Sequence, residues 1–263
     1  MTFTEKTLPD GTITPVPSSI NIVIPTPRDY PDTPAEMLHS LAFIPWSNTF
    51  LPLVPSDYQD FYQAILPRLH ARTTDVHTAL SVSFVNELIA LSGFDVDKKI
   101  LTTAVLLHDI GWAELTPKQI ALSLNYSAFS YSDEALLPKR LHASLGAEAV
   151  KELLPQHASN LGLTDDDIAF IVKLVRFHDQ IDPWPDTPQP AEYLLLGDAD
   201  RMWSYTQENF WLDTIRKHTA PEQYVQNITD AIDGYFLTDA GKTIARRLAA
   251  ERQLEVNELK TPS

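Results

Sequence analysis

Proline placement divides this chain in two. Ten of its 20 prolines fall within the first 60 residues, at positions 9, 15, 17, 25, 27, 31, 34, 45, 52 and 55. Each removes a backbone donor and crowds the preceding turn, so this stretch cannot sustain long helices. Residues 1–56 therefore read as a proline-rich N-terminal arm. Tyr30, Phe43, Trp46, Phe50 and Leu53 predict that its second half packs on the rest rather than hanging free, as a structural wrap in preference to a substrate lid.

From about residue 57 apolar residues recur at spacings of three and four. Phe61, Ile65 and Leu69 are followed by Leu80, Phe84, Leu88 and Leu91, with Gly93 as a helix stop. Asp97 opens a strongly apolar helix that runs to His108-Asp109, with Gly111 just past its end. Residues 112 to 131 look irregular. Ser132 begins a short helical piece that Pro138 should interrupt before a helix from Lys139 to Leu154. Thr164 and Asp167 form a capping box for a helix carrying His178, and Glu192 to Tyr205 follows a proline-rich link. Two or three helices complete the chain, the last from about Asp239 to Leu254 with Arg246, Arg247, Glu251 and Arg252 on a solvated face. Nothing alternates with period two for long. The expectation is an all-α helical bundle over residues 57–263, preceded by the arm.

A formal net charge of −15 repels phosphate backbones and argues against a nucleic-acid partner. The absence of cysteine removes disulfides, thiolate ligands and cysteine nucleophiles at once. The opening MTFTEKTLPDG has no apolar signal region and no run approaches a membrane span, so the expectation is a cytoplasmic protein without membrane contact. All eight glycines are scattered, leaving no phosphate-binding loop, dinucleotide fingerprint or nucleophile elbow.

What the helices do carry is a series of metal-ligand types: His77, His108-Asp109, His142, His178 and Asp200. The doublet ends the run LTTAVLLHDIG, where two ionisable side chains would cost several kcal/mol if left unpaired. A cation would satisfy them, and so would a core histidine bonded to a carboxylate. Six such groups exceed what one catalytic ion with open positions needs, so two ions are expected.

At these residues the chain resembles the HD superfamily of metal-dependent phosphohydrolases, named for the adjacent His-Asp pair. The resemblance covers roughly residues 70 to 205: His77 in DVHTALSVSFVNELIAL, His108 and Asp109 in LLHDIG, and Asp200 in GDADRMW, with Asp198 the competitor for that last role. RLHASLGAEAVKELL and VKLVRFHDQID resemble the segments that add His142 and His178 in two-metal members. The resemblance implies an HD-domain-like bundle in which Asp109 bridges the ions, His77, His108 and Asp200 hold one, and His142 and His178 hold the other. Asp109 and His108 would then be the centre of catalysis. The chain departs from the branch that cleaves cyclic dinucleotides, having Trp112 after HDIG, Asp179 after His178, and DQIDPWPDTPQP where that branch has an Asp-Gly-x-Gly-Tyr-Pro stretch. It is also similar to a di-iron branch that uses dioxygen to oxidise inositol or cleave organophosphonates.

Two divalent ions, with Fe or Mn favoured over Zn or Mg, would turn a bridging water into hydroxide for attack on the phosphorus of a small phosphate ester or nucleotide. The same sulfur-free ligands suit non-haem iron and an O₂-dependent oxygenase acting on a small polar molecule, and a binding module that has lost catalysis is the third reading. Arg176, Arg201, Lys139 and Arg140 are candidates to hold an anionic or polar small-molecule substrate, although each alone also reads as a surface salt bridge. Trp112 is a candidate to line the pocket. His39, His157 and His218 read as surface groups, as does His70 unless it shares the face of His77, two helical turns on.

Overall fold

Short strands in the arm escape a search for long alternation. In the computed structural model, which describes residues 1–8, 11–31, 35–124 and 133–259, Phe3–Thr7 (β1) and Ile13–Pro17 (β2) pair antiparallel, Phe3 opposite Pro17 and Thr7 opposite Ile13. Both strands of a two-stranded sheet are edges, which is where proline in a strand is tolerated. Val16, Ile22, Ala42, Ile44 and Val54 of the arm are buried in the same apolar core as the helices, and Phe3 meets Trp211 edge-on at 5.6 Å. Arg216 ties the two parts together, its buried Nε donating to the Ala42 carbonyl at 2.8 Å.

The rest of the described chain is helical: α1 (Gln59–Ile65), α2 (Thr74–Ser83), α3 (Val85–Ser92), α4 (Lys98–Leu107), α5 (Pro117–Leu124), α6 (Asp133–Leu153), α7 (Ala158–Leu161), α8 (Asp165–Phe177), α9 (Ala191–Met202), α10 (Gln207–Arg216), α11 (Pro221–Tyr235) and α12 (Asp239–Leu259). Expected signals operate where the sequence puts them. Gly93 closes α3 at φ 66°, Asp97 Oδ1 accepts from the Lys99 and Ile100 amides, and the Thr164–Asp167 capping box is complete. Helix α4, buried from Ile100 to Leu107, is the central rod, packed by α2, α8 and α9. No helix among the described residues is long and apolar enough to cross a membrane.

Three expectations need correction. The stretch from 112 is not irregular throughout: a 3-10 turn at Ile110–Glu114 leads into α5. The overlooked signal is Thr116-Pro117-Lys118-Gln119, a capping box with proline at the first helical position: the Gln119 side chain accepts from the Thr116 amide at 2.9 Å, and Thr116 Oγ1 accepts from the Gln119 amide at 3.3 Å. Pro138 does not interrupt α6, which runs unbroken through it; a missing amide so near the helix start forfeits one bond, to the carbonyl of residue 134. The Ser132 start lies outside the described residues. Arg252 is not solvated. It is buried, donating to Glu255 and to the Tyr205 carbonyl, because it falls on the inward row of α12 with Ala245, Leu248, Ala249 and Val256.

Candidate metal centre

Two helix ends aim two imidazoles by the same device. His108 caps α4 and His178 caps α8, and in each the Nδ1–H donates to the carbonyl three residues back, Val105 and Val175 respectively, both at 2.7 Å. The last carbonyls of a helix lack an amide partner, so the imidazole supplies one and is locked with Nε2 pointing outward. His77, near the start of α2, brings its Nε2 within 2.9 Å of His108 Nε2; His142, within α6, brings its Nε2 within 3.2 Å of His178 Nε2.

Asp109 lies between these pairs. Its Oδ2 faces His108 at 3.7 Å and His77 at 3.9 Å, while its Oδ1 faces His142 at 3.2 Å and His178 at 3.4 Å. Asp200 from α9 closes the first group, its Oδ1 3.1 Å from His77 and 3.5 Å from His108. All six residues named from the sequence thus converge in one cluster, buried except for the half-buried Asp200. The rejected alternative, Asp198, points away and accepts from the Leu237 and Thr238 amides and the Thr238 hydroxyl, anchoring the start of α12.

Close backbone approach makes this convergence possible. A Cβ on Gly111 would lie 2.9 Å from the Gly146 Cα and closer still to the His142 carbonyl oxygen; one on Gly146 would lie 3.3 Å from the Gly111 amide nitrogen. Gly111 must be glycine for α6 to lie on the turn that follows the doublet, and at Gly146 a side chain would make a tight contact with that same turn. Trp112 completes the junction by stacking on the His142 ring at 4.1 Å and donating its Nε1–H to Asp109 Oδ1 at 2.9 Å.

With Nδ1–H committed to carbonyls, neutral His108 and His178 present lone pairs to carboxylates and to other lone pairs. Without compensating positive charge this is repulsive. Burial opposes the His108 imidazolium, but Asp109 and Asp200 outweigh it and raise the group to about 9. His178 is also raised, by Asp109 and Asp179 against burial, whereas burial prevails at His142 and lowers it. Burial would raise the Asp109 and Asp200 carboxyls, but the histidines hold both well below the carboxylate range. Metal–nitrogen bonds of about 2.1 Å at right angles put neighbouring ligand atoms about 3 Å apart, and the shortest separations here, 2.9 Å for His77–His108, 3.1 Å for His77–Asp200 and 3.2 Å for His142–His178 and for His142–Asp109, lie near that value. The donor set and its spacing fit metal ions: His77, His108 and Asp200 form one three-ligand group, His108, Asp109 and His178 a second, and His142, His178 and Asp179 a third.

The cluster opens into a cavity of about 230 Å³. Of the residues named for substrate, Trp112, Lys139 and Arg201 line it; Arg140 and Arg176 do not, and instead reach Asp182 at 3.5 and 3.0 Å. Both residues face outward from their helices, where a nearby carboxylate takes up their charge. His70 also stays out of the cluster, 2.8 Å from Asp75 Oδ2. Sequence reasoning missed Asp179, whose Oδ1 lies 3.5 Å from Lys139 Nζ and whose Oδ2 lies 4.0 Å from His142 Nδ1. Burial would raise its carboxyl, but Lys139 and the histidines bring it down. A signal was available, since His178-Asp179 is a second adjacent His-Asp pair after an apolar helix. Arg72, Trp203, Asp213, Arg216 and Lys217 also line the cavity with no comparable signal in the sequence. Comparison with known protein families, curated proteins and solved structures finds no match.

Proposed function

We propose that this chain is a metal-dependent phosphohydrolase of the HD type, acting on a small phosphate ester or nucleotide at a two-metal centre. The observation that carries the reading is the posture of Asp109, one carboxylate oxygen turned to the His77–His108 pair and the other to His142–His178. Asp109 would be shared between ions held by His77, His108 and Asp200 on one side and by His142 and His178 on the other. Such a pair supplies Lewis acidity, bringing a water molecule's proton loss toward neutral pH and offsetting charge on phosphate oxygens.

The chain's own groups fit an anionic substrate. Lys139 Nζ is held at the cavity by Asp179, and Arg201, whose Nη2 donates to Gln180 Oε1 at 2.7 Å, keeps its buried Nη1 without a partner. A phosphate oxygen would satisfy that donor. Trp112 and Trp203 wall the cluster, Trp203 lying 5.2 Å from the His77 ring, and exclude water from the reacting side.

The test is a pair of assays on anaerobically purified, metal-analysed protein given a panel of phosphate monoesters and nucleotides. Phosphate release under nitrogen with Mn²⁺ or Fe²⁺ is the expected result. Substrate-dependent O₂ consumption without phosphate release would replace the hydrolase by the di-iron oxygenase.

A further inference from the structure

A second concavity lies directly behind Arg72. It encloses about 310 Å³ and is walled by Tyr30, Leu41 and Phe43 of the arm and by Leu115 and Ile120 around the start of α5. Leu41, Trp112, Leu115, Ile120 and Ala121 form an apolar cluster separate from the main core, with Tyr30 and Ala71 at its edge. Trp112 therefore serves both sides, contributing to this apolar wall and stacking on His142. Arg72 and Arg216 line both cavities, so the polar chamber and the apolar one adjoin at these two side chains.

That shared lining is built with local strain. Arg72 and Thr73 both adopt left-handed backbone angles, φ 57° and 67°, a conformation that costs a residue with a Cβ roughly 1 kcal/mol or more. Thr73 is held there by burial and by its Oγ1, which accepts from the Ile44 amide and from Arg216 Nη2, each at 3.4 Å. The result places the Arg72 guanidinium 4.4 Å over the Trp112 ring. Among the described residues the Arg72 side chain has no carboxylate or hydrogen-bond partner, whereas Lys139 has Asp179 and Lys217 has Asp213. A planar cation left unpaired on an aromatic face, where a metal-type cluster's chamber and an apolar pocket adjoin, is suited to grip an anion.

We infer that the substrate has two ends: an anionic head at the His-Asp cluster, gripped from the side by Arg72, and an alkyl or aryl body lodged against Leu41, Phe43, Leu115 and Ile120. The head-group half rests on the phosphohydrolase reading above; the apolar half does not. On this account the arm is part of the binding site, supplying one wall of the body pocket.

The probes are methyl-, propyl-, pentyl- and heptylphosphonate, which resist hydrolysis, and the 1-alkanols of the same lengths, titrated anaerobically into the full chain loaded with Mn²⁺. Burying each methylene contributes about 0.8 kcal/mol, so affinity should rise about fourfold per methylene until the pocket is full, in both series. Arg72→Gln should weaken every phosphonate about tenfold and leave the alkanols unchanged. Ala71→Phe should flatten both series beyond the propyl chain without altering methylphosphonate binding, thermal melting confirming that it folds. A slope in the alkanols with no phosphonate binding would keep the apolar pocket and remove the phosphate head. A flat dependence in both series of the unsubstituted chain overturns the two-ended substrate whatever the variants do, and unchanged phosphonate affinity in Arg72→Gln overturns the grip.

Discussion

Asp109 does at one position what the remaining ligands do in groups, because its two oxygens face different histidine pairs. Removing a ligand on one side should therefore have a different stoichiometry from removing the shared one. His142→Ala and His178→Ala are each expected to lose about one equivalent of metal while keeping the fold, and Asp109→Asn to lose both; elemental analysis of dialysed protein with circular dichroism reads the result. Unchanged metal content in both histidine variants would leave a single ion held by His77, His108, Asp109 and Asp200. At this scale the sequence is informative where a side chain's chemistry is at odds with its surroundings. Two ionisable groups ending LTTAVLLHDIG advertise a partner, and Asp200 was separable from Asp198 only by pattern. Arg72 gives no such sign: an arginine before two threonines is ordinary until its backbone turns left-handed and its head lands on Trp112. Arg140 and Arg176 fail for the complementary reason, since proximity in sequence to a ligand does not decide which face of a helix a residue takes.

Among the elements, the contact between the turn after α4 and helix α6 fixes the site's geometry, and two glycines permit it. Gly111→Ala puts a methyl group into backbone atoms of α6 that have no rotamer to yield, so the helix must shift and carry His142 with it. Overpacking of this kind costs typically 1–3 kcal/mol and occasionally more; urea denaturation should place Gly111→Ala at or above the top of that range, with the His142-side metal lost. Gly234→Ala is the control. Its Cβ meets nothing within 4 Å near the end of α11, and relief of glycine's chain entropy should stabilise by about 0.5 kcal/mol. Equal effects at the two positions would mean that α6 is not seated by close approach. Elements were legible where caps and periodicity agree, as at Asp97 and Thr164. They were misjudged at Pro138, over-weighted as an interruption although α6 runs through it, and over residues 112 to 131, read as irregular although the Thr116–Gln119 capping box opens a helix at Pro117.

For the whole molecule, a bound ion would compete with protons for the same lone pairs, so stability should depend jointly on metal and pH. In the metal-free protein the His108 imidazolium is held up to about 9, above an ordinary value near about 6.5. The folded state therefore binds that proton more tightly than the unfolded chain. The resulting stabilisation is complete below about pH 6.5 and disappears as pH rises through about 9. Asp109 and Asp200, both depressed, contribute in the opposite window, above the ordinary carboxylate range and lost only as the pH falls well below it. A cation supplies positive charge without a proton, so the loaded protein should keep above pH 7 what the metal-free protein loses. A free ion at 100 times its Kd adds about 2.7 kcal/mol, which for a chain of this size is a rise in Tm of about 5 to 10 °C. Scanning calorimetry at pH 6, 7.5 and 9, with Mn²⁺ or with a chelator, should show the gap between the two melting temperatures widening as pH rises. In Asp109→Asn it should be close to nothing at every pH. A gap of constant size in the unsubstituted chain would mean that the ion responsible binds somewhere other than among these imidazoles.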